Sequence, residues 1–161
     1  MNLKSKTTAP AELMFEVDSL YVSTEMILSG RFRELLLDGL LLEACLLHFR
    51  IVWDFFYGPN PKKEKTDIVV RDFVPKWKEI TPPARLRGIR KWLNVMLAHL
   101  TTNRTEPDFK VDEVTGTDIS QMREHTKTLF EAFVTALSDD QRKALVNPLA
   151  HKFTQYETLK P

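Results

Sequence analysis

The chain has 161 residues, of which 43% are hydrophobic, with 23 basic and 22 acidic side chains. That length and apolar content suit one domain with one ordinary core. The near-zero net charge excludes the broad basic excess of a typical nucleic-acid binder and the high-charge, low-hydrophobicity composition of a disordered protein, so electrostatic recognition has to be local.

The lone cysteine, Cys45, lies in an apolar run and rules out an internal disulfide; it reads as a small buried hydrophobe in a reduced compartment. One cysteine and four scattered histidines form no zinc pattern, so no metal or cofactor is expected. The N-terminus lacks the apolar run and cleavage site of a secretory signal, which points to a cytoplasmic protein.

Apolar residues recur at three- and four-residue intervals without strand alternation, predicting an all-α fold: a four-helix bundle core with one or two short additional helices, in a single domain over 1–161. Residues 1–10 are expected as a loose arm and 155–161 as a loose tail. The first helix should start near Pro10 and carry Leu13, Val17, Leu20 and Tyr21 before Gly30. The second should run from about Arg31 to Tyr57 and stop at Gly58-Pro59. Its stretch Leu35 to Tyr57 is long enough to cross a bilayer, but Asp38, Glu43, Arg50 and Asp54 interrupt it. Each would cost about 2.5–3.5 kcal/mol near a bilayer centre, so the segment reads as a buried helix of a non-membrane protein.

A basic connector, NPKKEK, leads to a short amphipathic piece capped at Thr66 or Asp67, whose Ile68, Val70, Phe73 and Trp77 make it a lid on the bundle. Thr81 to Pro83 should open the next long helix, running to about Asn103 with Leu86, Ile89 and Leu93 on its buried face. After an acidic loop from Thr105 to Thr115, Thr117 or Asp118 is the expected cap of a helix carrying Ile119, Met122, Leu129 and Phe133. The segment SDDQRKAL reads as a further N-cap followed by a short helix.

Two segments, LLEACLLHFRIVWDFFYG and RKWLNVMLAHLTTNR, thread polar groups through apolar sequence. His48, Arg50 and Asp54 on one, and Asn94, His99, Asn103 and Arg104 on the other, are costly to bury unless they satisfy one another or a ligand. At about 100° per residue, Glu43, Arg50 and Asp54 share a face, whereas His48 falls on the apolar stripe of Leu41, Cys45, Val52 and Phe55. Arg50 and Asp54 fit an intrahelical ion pair, His48 and His99 fit core histidines bonded to a facing helix, and Arg104 fits a C-terminal cap. If the two helices face each other, His48, Asp54, Asn94, His99 and Arg104 line one pocket.

Charge is segregated along the chain. Lys62 to Lys91 holds ten Lys or Arg against four Asp or Glu, and Glu106 to Asp140 holds three against nine. Arg85, Arg87, Arg90 and Lys91 therefore read as a basic helix face able to hold phosphates of a nucleic acid, or as one lobe neutralising the other.

The stretches HFRIVWDFFYG and LNVMLAHLTTNR resemble those of a family of small uncharacterised bacterial helical proteins and, more distantly, the HEPN superfamily of helical bundles, many of them ribonucleases of toxin and defence systems. That superfamily's motif is an Arg followed after four to six residues by a His; here His99 precedes Arg104. The resemblance implies a metal-independent ribonuclease with His99 as general acid or base, Arg104 or Arg50 stabilising the phosphorane-like charge, and His48 nearby. Against it stands a non-enzymatic module, self-associating or partner-binding, in which the same His and Arg groups fix helix register. Phe15, Tyr21, Trp53, Phe56 and Trp77 exceed what four helices need internally and point to an interface, with a homodimer as one form and a protein or RNA partner as others.

Overall fold

The computed structural model describes residues 3–30, 35–58, 68–98, 114–143 and 145, and these form an all-helical bundle. Its elements are α1 (Leu3–Ser29), α2 (Leu35–Tyr57), a 3-10 turn at Val70–Asp72, α3 (Ala84–Ala98) and α4 (Gly116–Ala136). Residues 139–143 add a short helical segment.

Helix ends follow local chemistry. Gly30 (φ 60°) and Gly58 (φ 76°) close α1 and α2 in the left-handed region that a side chain resists. α1 begins seven residues before Pro10, so the expected loose arm is helical from Leu3, and the helix runs past Pro10 at the loss of one i→i−4 bond. The α4 cap is Thr115, two or three residues before the expected Thr117 or Asp118. Its hydroxyl accepts from the Asp118 N–H at 3.2 Å, and Asp118 accepts from the Thr115 N–H at 2.9 Å, a reciprocal box. Ser138 and Gln141 repeat the device ahead of 139–143. At the 3-10 turn, the Asp72 carboxylate accepts from the Val69 N–H at 2.9 Å; the expected caps Thr66 and Asp67 lie outside the described residues.

α2 packs on α1, α3, α4 and the 3-10 turn. Glu16 meets His48 and Ser23 meets Cys45, so α1 and α2 run antiparallel. Two apolar clusters stack along the bundle. One joins Leu13, Val17, Phe55, Phe56, Val70, Leu129 and Phe133; the other joins Leu20, Cys45, Phe49, Leu86, Leu93 and Met122. Phe73 and Trp77 pack on the first cluster, so the 68–80 segment covers that end of the bundle as a lid. Burial pushes the Cys45 thiol up to about 12, with a hydrogen bond to Ser23 offsetting only part of the rise, so the residue acts as a hydrophobe. Among the described residues, no helix is long and apolar enough to cross a membrane.

Replacing Thr115 with Ala removes one half of the α4 box while leaving the core intact. The expected loss is about 1 kcal/mol, or roughly 2–4 °C in Tm, read by thermal circular dichroism. An unchanged Tm would show that the box does not hold the start of α4.

Candidate functional site

Each helix interface around α2 carries its own polar pair. On the α1 flank, His48 Nδ1–H donates to Glu16 Oε2 at 2.6 Å, with both side chains 18% exposed. Phe15 sets its ring edge to the imidazole at a centroid distance of 6.1 Å. On the α3 flank, Arg90 Nη2 donates to Asp54 Oδ1, and Arg50 Nε lies 4.0 Å from Asp54 Oδ2. At the C-terminal end of α2, the Tyr57 hydroxyl donates to the Ile80 carbonyl at 2.7 Å. That uses its single proton, so the 2.7 Å contact with His125 is an Nε2–H of the imidazole donating to the phenol oxygen. The rings of Tyr57 and His125 are nearly parallel, and Trp53 leans on both.

The structure thus separates groups expected together. His48 points to α1 and Asp54 to α3, because the 600° between positions 48 and 54 puts them two-thirds of a turn apart. They share no pocket. Asn94 lies on α3, and its side chain, like His99, Asn103 and Arg104, falls outside the described residues.

The expected basic face of α3 is also divided. Arg87 and Lys91 are exposed. Arg90 is 9% exposed because it falls with Leu86, Ile89 and Leu93 on the inward stripe. Arg85 reaches across to α4, where its Nε and Nη2 grip Asp118 Oδ1 and Oδ2 at 2.8 and 3.0 Å. This fork, with the bonds from Thr115, holds the Asp118 carboxyl well below the usual carboxylate range. It also ties the basic segment to the acidic one.

Of the aromatics expected at an interface, Phe56 is in the core, and Tyr21, Trp53 and Trp77 are half-buried against it. Only Phe15 among these five stands mostly in solvent, at 52%. His125 and Glu16 were not singled out by sequence. His125 was detectable, since it sits with Met122, Thr126 and Leu129 on the buried stripe of α4.

An open cleft of about 320 Å³ lies between α1 and α4, lined by Val17, Asp18, Tyr21, Arg123, Lys127 and Phe130. Burial raises the Asp18 carboxyl, and Arg123 closes one side by pairing with Glu25 at 2.7 Å and lying over the Tyr21 ring. None of the residues singled out by sequence as polar site candidates lines it. Among the described residues, no three His, Cys, Asp or Glu side chains converge as metal ligands would. The chain matches no protein-family model, no curated protein and no solved structure.

Desolvation lowers the His125 imidazole below its ordinary value of 6.5. The unfolded chain therefore takes up a proton that the folded one refuses. The neutral ring's stabilisation is complete above pH 6.5 and is lost as pH falls from there toward the folded value. The free energy of unfolding should fall on going from pH 7 to pH 5, and His125→Gln should make that decline shallower in denaturant titrations at each pH. Equal slopes for the two proteins would remove His125 from the pH response.

Proposed function

We propose that the protein works by self-association, through the outward faces of α1 and α2. The observation that carries this reading is a pair of matching apolar seams. Along α1, Phe15, Ser19, Val22 and Met26 are spaced by four, three and four residues; along α2, Leu40, Ala44, Leu47 and Ile51 repeat the same spacing. Phe15, Val22, Leu40, Leu47 and Ile51 are each at least 40% exposed.

The two seams join where Phe15 meets His48, the residue next to Leu47 and three before Ile51. This 4-3-4 spacing is the pattern by which helices interlock side by side. A second copy supplies an identical antiparallel pair, and a twofold axis sets seam on seam to complete a four-helix layer. Small residues at Ser19 and Ala44 give the facing knobs their holes.

Size sets the strength. From Glu12 to Ser29 the face is about 26 Å long, and two helices side by side make it about 20 Å wide, or on the order of 500 Å² per copy. Two copies bury about 1,000 Å², the lower bound for a specific interface, so the dimer is a weak one.

A second reading, an RNA-cleaving bundle, draws support from the arginines on the α2–α3 flank. Arg90 sits on α3, whose last residue Ala98 directly precedes His99 in sequence. In that reading His99 moves the 2′-hydroxyl proton and Arg104 or Arg50 stabilises the developing charge. RNA cleavage that disappears in His99→Ala while the melting curve is unchanged would favour it over self-association as the function.

Sedimentation velocity separates monomer from dimer directly. The wild type should shift to dimer as concentration rises to on the order of 100 µM, the range in which an association worth about 5.5 kcal/mol shows. Leu47→Glu, at an exposed position, should remain monomeric with its helical signal intact. A wild type that stays monomeric throughout this range defeats the proposal.

A further inference from the structure

Among the described residues, the α2–α3 flank holds more hydrogen-bond donors than its one carboxylate accepts. Arg90 is nine-tenths buried, and only its Nη2 has a partner, Asp54. Its Nε and Nη1 are buried with none among the described residues. Arg50, 17% exposed, reaches Asp54 only through a 4.0 Å contact, too long for a hydrogen bond. Among the described residues, two permanently charged guanidinium groups therefore share a single negative charge, a local excess of one positive charge in a largely desolvated place. A buried donor without a partner destabilises the fold, and an acceptor entering the site would relieve that cost.

We infer that Arg50 and Arg90 form a binding site for a phosphoryl group. The two guanidinium groups come from different helices and approach from different directions. A planar carboxylate is saturated by one fork, whereas a tetrahedral phosphate offers oxygens to both at once. Access is at Asp54, whose side chain is 34% exposed. Rotation of the Arg90 guanidinium about its terminal bonds turns the unpaired Nε or Nη1 toward that opening, and Arg50 closes on the phosphate from the α2 side. Asp54 is then the competitor: it holds Arg90 in place when no anion is bound and opposes the anion's charge when one is.

This inference rests on Arg50, Asp54 and Arg90, none of them a seam residue, although Asp54 follows Leu47 by seven residues and so borders the outward seam. Inorganic phosphate is the probe, titrated at constant ionic strength against chloride while Tm is followed. At ten times Kd, phosphate should raise the Tm of the wild type by roughly 3–6 °C. Arg50→Gln, which loses no hydrogen bond in the fold, should abolish most of that rise while keeping its own helical signal. Asp54→Asn should bind phosphate more tightly than the wild type, at about tenfold lower concentration, because the competing charge is gone.

Repeating the titration with adenosine monophosphate distinguishes the source: a larger shift than with phosphate points to a nucleotide, and an equal one to the free ion. The inference fails if phosphate leaves the Tm of both the wild type and Asp54→Asn unmoved. It also fails if Arg50→Gln responds as the wild type does, since the effect would then belong to the surface at large.

Discussion

The fold depends on how α2 is accommodated. This helix carries His48, Arg50, Asp54 and Tyr57 through a sequence otherwise apolar enough to be buried on several sides, and a polar group taken out of water must find a partner. The bundle answers by giving each flank a different neighbour: Glu16 of α1 for His48, Arg90 of α3 for Asp54, and His125 of α4 for Tyr57. Apolar packing alone tolerates a helix that slides or rotates by a fraction of a turn. Three directional contacts on three flanks do not, so the same groups that make α2 costly to bury also fix its position.

The charge segregation along the chain has a related origin. A basic stretch and an acidic stretch of similar size are poor surfaces separately but stabilise one another when folded together. The Arg85–Asp118 fork is where they meet, and it does two things at once. It joins α3 to α4, and it loads a carboxylate into the first turn of α4, where the helix dipole favours negative charge. A neutral overall composition thus conceals an internal arrangement of opposite charges.

Periodicity exposed most of the architecture. The apolar spacing gave the four long helices, and Gly58 with its following prolines marked the end of α2, because these signals are local. The cap of α4 was misplaced by two or three residues since Thr115, Thr117 and Asp118 are all competent caps, and only backbone geometry decides among them. Position 90 is more instructive. Its spacing from Leu86 and Leu93 put it on the inward stripe, yet an arginine there reads as part of a surface; only the presence of Asp54 on the facing helix makes burial tolerable, and pairing across 36 residues leaves no trace in periodicity. The same holds for His48, whose stripe was legible while its partner Glu16 was not. The chain between positions 99 and 113 bears the residues on which a catalytic reading turns, and these lie outside the described residues.

A helix in a four-helix bundle ordinarily spends its apolar surface on two neighbours and shows solvent a polar face. α2 departs from this: with α1, α3 and α4 already packed around it, its remaining face still presents Leu40, Leu47 and Ile51, and at its α3 flank two guanidinium nitrogens of Arg90 have no acceptor among the described residues. Surplus apolar surface lowers solubility, and surplus buried donors lower stability, so neither improves the isolated monomer. The apolar surplus lies on α1 and α2, and the donors without an acceptor belong to Arg90 of α3 where it meets α2. Self-association through the outward faces of α1 and α2 and anion binding beside Arg90, as proposed above, are the two readings that would use these surpluses.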